Sequence, residues 1–234
     1  YFPIFDTYLD KYHLPMELKY LSVIESGLNP FARSKTDAVG LWQFKLPTAQ
    51  LLNLKVNSFI DERQDPIKST EAACSYLEYL YNMFNDWQLA IAAYNGGPGN
   101  VKNAILRSGK NTFWEIKPYL SQETQNYVPA FIAMIYLMNY AQDYQIQASD
   151  KNIYYHQIDT VLISKPLYFS ILSQKLNIPI DVVRFLNPTY KQDYIPKMQN
   201  AVALVLPSEK IAEFIKHQNE ILCNDFPKQD QLNN

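Results

Sequence analysis

Residues 14–27 read Leu-Pro-Met-Glu-Leu-Lys-Tyr-Leu-Ser-Val-Ile-Glu-Ser-Gly, and this stretch places an acid on the apolar face of a helix. At 3.6 residues per turn, three leucines and one acid fall on a single stripe: Leu14, Leu18, Leu21 and Glu25. Gly27 suits the end of that helix. Burial and the negative end of the helix dipole both disfavour an ionised carboxylate there, so we expect the pKa of Glu25 to be raised.

Two interpretations of Glu25 stay open from this helix alone. A carboxylic acid that is still partly protonated near neutral pH is what a general acid needs. A structural glutamate whose carboxyl caps a loop amide would show the same pattern. On the same helix, we expect Pro15 in the first turn and Lys19 on the opposite face.

The composition is that of an ordinary globular protein. Of 234 residues, 47% are hydrophobic and 19% are charged, with a net charge of -2. We therefore expect a well-buried core and no nucleic-acid partner. The chain holds 18 tyrosines against 12 phenylalanines and 3 tryptophans, an amphipathic excess that suits sugar-stacking clefts as well as cores.

The two cysteines indicate neither a metal site nor a redox site. Cys74 and Cys223 lie far apart and have no Cys-x-x-Cys or Cys/His neighbourhood, so the sequence predicts two free thiols, no metal and no cofactor. No segment reaches the roughly 18 continuous apolar residues of a membrane span. Because the chain begins at Tyr1 rather than Met, we expect a native targeting segment to lie outside it.

Helical periodicity and capping residues predict a mainly α-helical first domain over residues 1–145. After the acid-bearing helix, residues 27–40 read as a loop, and Asp86 is placed to cap a later helix. The helix that follows Ser121 is apolar nearly all round, so we expect it to be the central buried helix.

A second informative stretch is Ala93-Tyr-Asn-Gly-Gly-Pro-Gly-Asn100. Its glycines and proline predict a tight turn that lets backbone amides, Tyr94 and Asn95 face an extended ligand, although a simple turn between helices fits equally. Two interpretations also remain for Gln43 beside Trp42: the pair could bind a sugar or pack within the helices.

The sequence pattern changes after Tyr140. A polar stretch without periodicity predicts a linker over residues 146–158. Two β-rich runs flank two helical segments in residues 159–223, which predicts a small β-α-α-β domain with a terminal helix. Residues 224–234 are polar enough to form a frayed tail.

Four separated motifs together resemble the lytic transglycosylases of glycoside hydrolase family 23, most closely the membrane-bound lytic transglycosylase D type. The motifs are Ile24-Glu-Ser26, Gly40-Leu-Trp-Gln-Phe44, Ala92-Ala-Tyr-Asn95, and Glu123-Thr124 with Tyr127-Val-Pro129. Any one of them would be weak evidence, whereas their order and spacing over residues 1–145 make the resemblance specific.

The resemblance implies a lysozyme-like helical domain that acts on the glycan strands of peptidoglycan. Glu25 would be the single catalytic acid and base at the bond between N-acetylmuramic acid and N-acetylglucosamine, and the product would carry a 1,6-anhydro ring. By motif position, the substrate-binding residues would be Ser34, Gln43, Tyr94, Asn95 and Tyr127. Asp37 departs from the family pattern, because relatives usually carry a small residue there. It could hold a water or be a solvated loop residue.

The C-terminal segment resembles a LysM peptidoglycan-binding domain, but a divergent one. The family's usual Gly-Asp-Thr-Leu turn is here Ser164-Lys-Pro-Leu167, so both glycan binding and a packing or spacer role stay open. The resemblance also implies a place in the periplasm or cell envelope of a Gram-negative bacterium, with an outer-membrane association through an N-terminal segment.

Two alternative functions remain open. A lysozyme-type hydrolase would transfer the same intermediate to water, and for this a second carboxylate is the feature to seek. A non-catalytic wall-binding scaffold would hold glycan in an inactive cleft. The retained Glu25 argues against the scaffold, and Glu62 and Glu123 are interpreted as structural salt-bridge or capping residues.

Overall fold

A computed structural model describes residues 1–147, 157–197 and 200–222 of the chain. These residues form two compact units. The first holds residues 1–54 and 66–147, and the second joins residues 55–65 to the described residues from 157 onward. The predicted linker lies largely outside the described residues, and the predicted tail and Cys223 lie entirely outside them.

The first unit is mainly α-helical, as predicted. Its helices are α1 (Phe2–Lys11), α2 (Tyr20–Ser26), α3 (Leu46–Leu51), α4 (Pro66–Phe84), α5 (Trp87–Gly96), α6 (Pro98–Ser108), α7 (Phe113–Ile116) and α8 (Gln122–Asn139). None of the helices in the described parts of the chain is long and apolar enough to cross a membrane.

The acid-bearing helix is shorter than its periodicity predicts. Residues Met16–Lys19 form a 3₁₀ turn, and α2 follows without a break until Gly27 adopts a left-handed conformation with φ of 58°. The leucine stripe is buried as expected. Lys19 is not fully solvated: its ammonium lies 2.9 Å from Asp6 of α1 and against the rings of Phe2 and Tyr20.

Trp42 anchors the core of this unit. Its side chain is fully buried, its ring centroid lies 5.0 Å from that of Phe5, and its indole N–H donates to Thr70 Oγ1 over 2.9 Å. Trp42 therefore packs between helices and is not available to stack on a sugar. Cys74 of α4 is a buried free thiol, and burial raises its pKa to about 12.

Helix α8 is not the central buried helix that its sequence predicts. Its buried residues are confined to one face of its first half: Thr124, Tyr127, Val128 and Phe131. Ile132 and Tyr136 are exposed. Ser121 caps the helix by accepting from the Thr124 amide, and Asp86 caps α5 in the same way through the Leu89 amide, as predicted.

Helices α5 and α8 approach each other closely at Gly96. A Cβ built on Gly96 would lie 2.6 Å from Thr124 Oγ1 and 3.1 Å from Thr124 Cγ2. Such distances are well below van der Waals contact, so the residue must lack a side chain. The glycine-rich stretch thus serves helix packing at this position.

We predict that Gly96→Ala lowers the free energy of unfolding by about 1–3 kcal/mol, because the new methyl group overlaps Thr124. Gly99→Ala is the matched control, since Gly99 lies in the first turn of α6 with nothing within 4 Å of an added Cβ. That variant should be unchanged or more stable by up to about 1 kcal/mol. Urea unfolding measures both, and equal stabilities would contradict the packing argument.

The second unit has the predicted β-α-α-β order with a terminal helix, and it adds two short strands that the sequence analysis did not predict. Strand β1 (Ile158–Ile163) pairs antiparallel with β4 (Val202–Pro207). Between them lie β2 (Leu167–Tyr168), α9 (Phe169–Leu176), α10 (Ile180–Leu186) and β3 (Tyr194–Ile195), and β2 pairs with β3. Helix α11 (Ile211–Ile221) packs on this core through Phe214 and Ile221.

Asn187 connects α10 to the sheet. Its side-chain amide donates to the carbonyls of Val183 and Val205 over 2.9 and 2.8 Å, and its Oδ1 accepts from the Val205 amide over 2.8 Å. The amide and the carbonyl of Val205 are groups that the two-stranded sheet leaves unpaired. Asn187 supplies their hydrogen-bond partners.

Residues 55–65 belong to the second unit by their contacts, although the sequence places them between helices of the first. The Asp61 amide donates to the Thr189 carbonyl, and the Lys191 amide donates to the Phe59 carbonyl, each over 2.9 Å. Glu62 is a structural carboxylate, as expected, because it accepts from the Lys55 amide over 2.7 Å.

Candidate active site

Glu25 lies in the last turn of α2 and meets Tyr127 of α8. The Tyr127 hydroxyl donates to Glu25 Oε1 over 2.5 Å. Burial raises the pKa of Glu25 from 4.5 to about 7; the bond from Tyr127 opposes this rise, and the nearby negative charge of Glu123 adds to it. The carboxyl is therefore divided between its protonated and ionised forms near neutral pH.

Two serines on α2 hold this helix to the segment around Trp42. The hydroxyls of Ser22 and Ser26 both donate to the Leu41 carbonyl, over 2.9 and 3.0 Å. Ser22 is fully buried. Sequence reasoning missed its role, because a buried serine on an apolar helix face is recognised only when its partner on another segment is known.

Gln43, the residue after Trp42, adopts a left-handed backbone conformation with φ of 51°. Its side-chain amide donates to the carbonyls of Gly40 and Ala32, over 2.8 and 3.1 Å. These bonds fold residues 32–43 into a compact loop beside α2, and they leave the Gln43 Oε1 atom as the side of the amide that can face a ligand.

Ser34 organises the tip of the same loop. Its Oγ atom accepts from the amides of Thr36 and Ala38 over 3.2 and 3.0 Å. Asp37 adopts φ of 60° and pairs with Arg33 over 2.7 Å on the protein surface. Asp37 is thus an exposed loop residue with a cationic partner.

Tyr94 of α5 joins this loop to the helices. Its hydroxyl donates to the Trp42 carbonyl over 2.8 Å, and its ring packs near Phe44 and Tyr76. Burial and the charge of Glu25 raise the pKa of Tyr94 well above 10, and the same causes act on Tyr127. Both tyrosines therefore remain neutral hydrogen-bond donors beside Glu25 at physiological pH.

Asn95 is held by the first turn of α8. Its Oδ1 atom accepts from the Thr124 hydroxyl over 2.9 Å, and its Nδ2 atom donates to Glu123 Oε1 over 3.3 Å. Glu123 thus combines a structural bond with an electrostatic effect on Glu25. The sequence does not reveal this effect, because α2 and α8 are about a hundred residues apart.

The structure brings three of the predicted site residues together electrostatically: Glu25, Tyr94 and Tyr127. Asn95 donates to Glu123, whose charge acts on Glu25. Gln43 directly follows Trp42, whose carbonyl accepts from Tyr94. Ser34 lies further out on the loop. Among the described residues, no group of His, Cys, Asp and Glu could hold a metal ion.

Comparison with known proteins gives two matches along the chain. The family model for the transglycosylase SLT domain matches residues 3–117. The model for the LysM-like domain of lytic transglycosylase MltD matches residues 157–222. The chain belongs to the SLT transglycosylase family. The predicted fold class, a mainly helical domain followed by a small LysM-like domain, is confirmed.

Individual relatives agree with this assignment. Membrane-bound lytic murein transglycosylase D of Escherichia coli K12 is 32% identical over 188 residues, which cover 77% of this chain and 40% of that protein. The soluble lytic murein transglycosylase of the same organism is 33% identical over 118 residues, covering 47% of this chain and 18% of that protein. This SLT family chain thus spans less than half the length of either relative.

Solved structures show the lysozyme-like fold. The 70 kDa soluble lytic transglycosylase of Escherichia coli matches with a TM-score of 0.51 and 26% identity, covering 61% of this chain and 24% of that one. A soluble lytic transglycosylase in complex with bulgecin A matches with a TM-score of 0.53 and 25% identity, with the same coverage.

We predict that Glu25→Gln stabilises the protein at pH 8 by about 3 kcal/mol, whereas the two proteins are equally stable near pH 4. Because the folded pKa of Glu25 is raised, the folded state binds its proton more tightly than the unfolded state. Wild-type stability is therefore lost as pH rises from about 4.5 through about 7, while glutamine has no charge to bury. Urea unfolding at several pH values measures the difference, and a difference that does not depend on pH would contradict it.

Proposed function

We propose that this chain is a peptidoglycan lytic transglycosylase, which cleaves the β-1,4 bond between N-acetylmuramic acid and N-acetylglucosamine and leaves 1,6-anhydro-muramic ends. The observation that carries the proposal is a carboxyl with a pKa of about 7, held by a tyrosine in the SLT-type fold. Relatives that match over 188 and 118 residues bear the name lytic murein transglycosylase.

Glu25 can serve first as acid and then as base. Its proton passes to the glycosidic oxygen as the C1–O bond breaks, and the acetamido group of the sugar stabilises the oxocarbenium-like centre. The resulting carboxylate then accepts the proton of the muramic 6-hydroxyl while the C1–O6 bond forms. A pKa near neutral suits both steps, because neither protonation state is strongly preferred.

The neighbouring polar side chains are proposed to orient the saccharide. Tyr127 positions the Glu25 carboxyl through its hydroxyl, and Tyr94 and Asn95 present a rigid polar wall beside it. Gln43 is proposed to bind through its Oε1 atom. Ser34 is proposed to act at the edge of the cleft, on the loop that its hydroxyl holds together.

The charge of Glu123 near Glu25 is a reason to test the alternative function, a lysozyme-type hydrolase. Its charge acts on Glu25, so a second carboxylate does lie near the proposed acid, which is the arrangement that a hydrolase uses to activate water. The bond from Asn95 Nδ2 to Glu123 Oε1 supports a structural role instead. Cleavage products distinguish the two reactions.

The cellular setting is proposed from the relatives. Membrane-bound lytic transglycosylases of Gram-negative bacteria are among them, so we place the protein in the cell envelope. The finer proposals are the periplasm, with an outer-membrane association made by a segment outside this chain. The LysM-like domain is proposed to bind glycan or to act as a spacer.

The decisive experiment is digestion of purified peptidoglycan followed by mass spectrometry. We predict that the wild-type protein releases 1,6-anhydro-muropeptides and that Glu25→Gln lowers the rate about 10³-fold, because glutamine cannot donate the proton. Glu17→Gln removes a nearby exposed carboxyl and should leave lysis unchanged. Reducing muramic ends that contain the mass of water would instead support the hydrolase, and an unimpaired Glu25→Gln variant would refute the assignment of Glu25.

The pH dependence of lysis tests the bond between Tyr127 and Glu25. We predict that kcat/KM falls about tenfold per pH unit above about pH 7, as Glu25 loses its proton. Since the bond from Tyr127 stabilises the ionised carboxylate, Tyr127→Phe should move this limb to higher pH. Tyr136→Phe on the exposed part of α8 is the control, and identical profiles for all three proteins would contradict the proposed contact.

A further inference from the structure

A surface groove of about 510 Å³ lies between α6 and the first turn of α8, outside the site described above. We propose that this groove binds a carboxylate of the peptide stem that peptidoglycan carries on its muramic acid residues. The proposal deepens the proposed function, on which it rests, by assigning a stem-binding site next to the glycan cleft.

One face of α6 supplies polar groups to the groove. Asn100, Asn103 and Arg107 are spaced three and four residues apart, so they lie on one stripe of the helix and all line the groove. Val101 and Ala104 on the other side are buried in the core. The Asn100 amide donates to the Gly96 carbonyl over 2.8 Å, which fixes its orientation.

Arg107 provides the positive charge. Among the described residues its guanidinium has no acidic partner, and it lies 5.5 Å from the centre of the Tyr119 ring, which also lines the groove. An arginine held over an aromatic ring keeps its planar N–H groups available for two parallel hydrogen bonds to a carboxylate.

The local charge balance favours an anionic ligand. Residues 98–121 contain four basic side chains and one acid, Glu115, although the whole chain has a net charge of -2. Lys110 lies 3.8 Å from that acid, so its charge is partly compensated. Glu123 follows this segment, but its carboxylate accepts from Asn95 and acts on Glu25, on the side of the catalytic cleft.

The amino end of α8 does not account for the ligand by itself. Ser121 Oγ already accepts from the Thr124 amide, so the helix is capped by its own side chain. The specific donors in the groove are therefore the Arg107 guanidinium and the Asn103 amide. The guanidinium only donates and is always charged, so this set suits an anionic carboxylate.

The groove is close enough to the cleft to act on one substrate. Thr124 lines the groove, and Tyr127, three residues later on the same buried face of α8, binds Glu25. Three residues of helix rise about 4.5 Å. A peptide on a muramic acid near the scissile bond can reach from one turn of α8 to the next, and its side-chain and terminal carboxylates are the anionic groups that it carries.

The test compares two substrates that differ in the peptide alone. Wild-type protein and Arg107→Gln are assayed on intact sacculi and on the same sacculi stripped of stems by an amidase. We expect Arg107→Gln to lower kcat/KM about tenfold on intact sacculi, the worth of a charge-assisted hydrogen bond, and to leave the stripped glycan within about twofold. Lys102→Gln, which removes an exposed charge of α6 outside the groove, should change neither rate.

An equal loss on both substrates, or no loss on either, would overturn the stem site. Binding of a soluble muramoyl tripeptide, followed by NMR, provides a readout that does not depend on lysis. We expect about tenfold weaker binding for Arg107→Gln and for the peptide whose carboxylates are amidated. If the wild-type protein lyses neither substrate, the proposed function fails, whereas equal affinities in this titration refute the groove.

Discussion

The hydrogen bond between Tyr127 and Glu25 is the contact on which the proposed chemistry depends. It joins α8 to α2 and places a donor on a carboxyl that burial would otherwise drive further toward its protonated form. The two effects oppose each other and leave a pKa of about 7. The protein thus keeps a single acid group able to release and recover a proton, which is what an anhydro-forming reaction requires of one residue.

The first turn of α8 must be close to α5 for this contact to form. Gly96 permits that approach because a Cβ there would overlap Thr124, and the Thr124 hydroxyl in turn holds Asn95. The close packing of α5 against α8 at Gly96 therefore also positions a residue of the proposed site, Asn95. One face of this turn directs Glu123 toward the Glu25 carboxyl, and its other side lines the groove in which Arg107 lies.

The second unit is stabilised by a different kind of contact, side-chain hydrogen bonds to backbone groups. Its sheet pairs are short, so polar backbone groups at the strand edges need partners, and the Asn187 side chain binds both the amide and the carbonyl of Val205 as well as the Val183 carbonyl of α10. Residues 55–65 match the SLT family model by sequence, yet they form backbone bonds to residues 189–191 of this unit. A loop that is continuous with one domain in sequence can thus contribute its hydrogen bonds to another.

The sequence by itself determined the helical first domain, the β-α-α-β order of the second, the cap at Asp86, and the burial of the leucine stripe before Glu25. These follow from periodicity and capping, which act over a few residues. The tertiary structure alone decided that Lys19 pairs with α1, that Trp42 is core, that half of α8 is exposed, and that Tyr127 and Glu123 act on Glu25. Each of these depends on which distant segments meet, and side-chain pKa values follow from that meeting through burial and neighbouring charge. Local patterns contain no information about such partners.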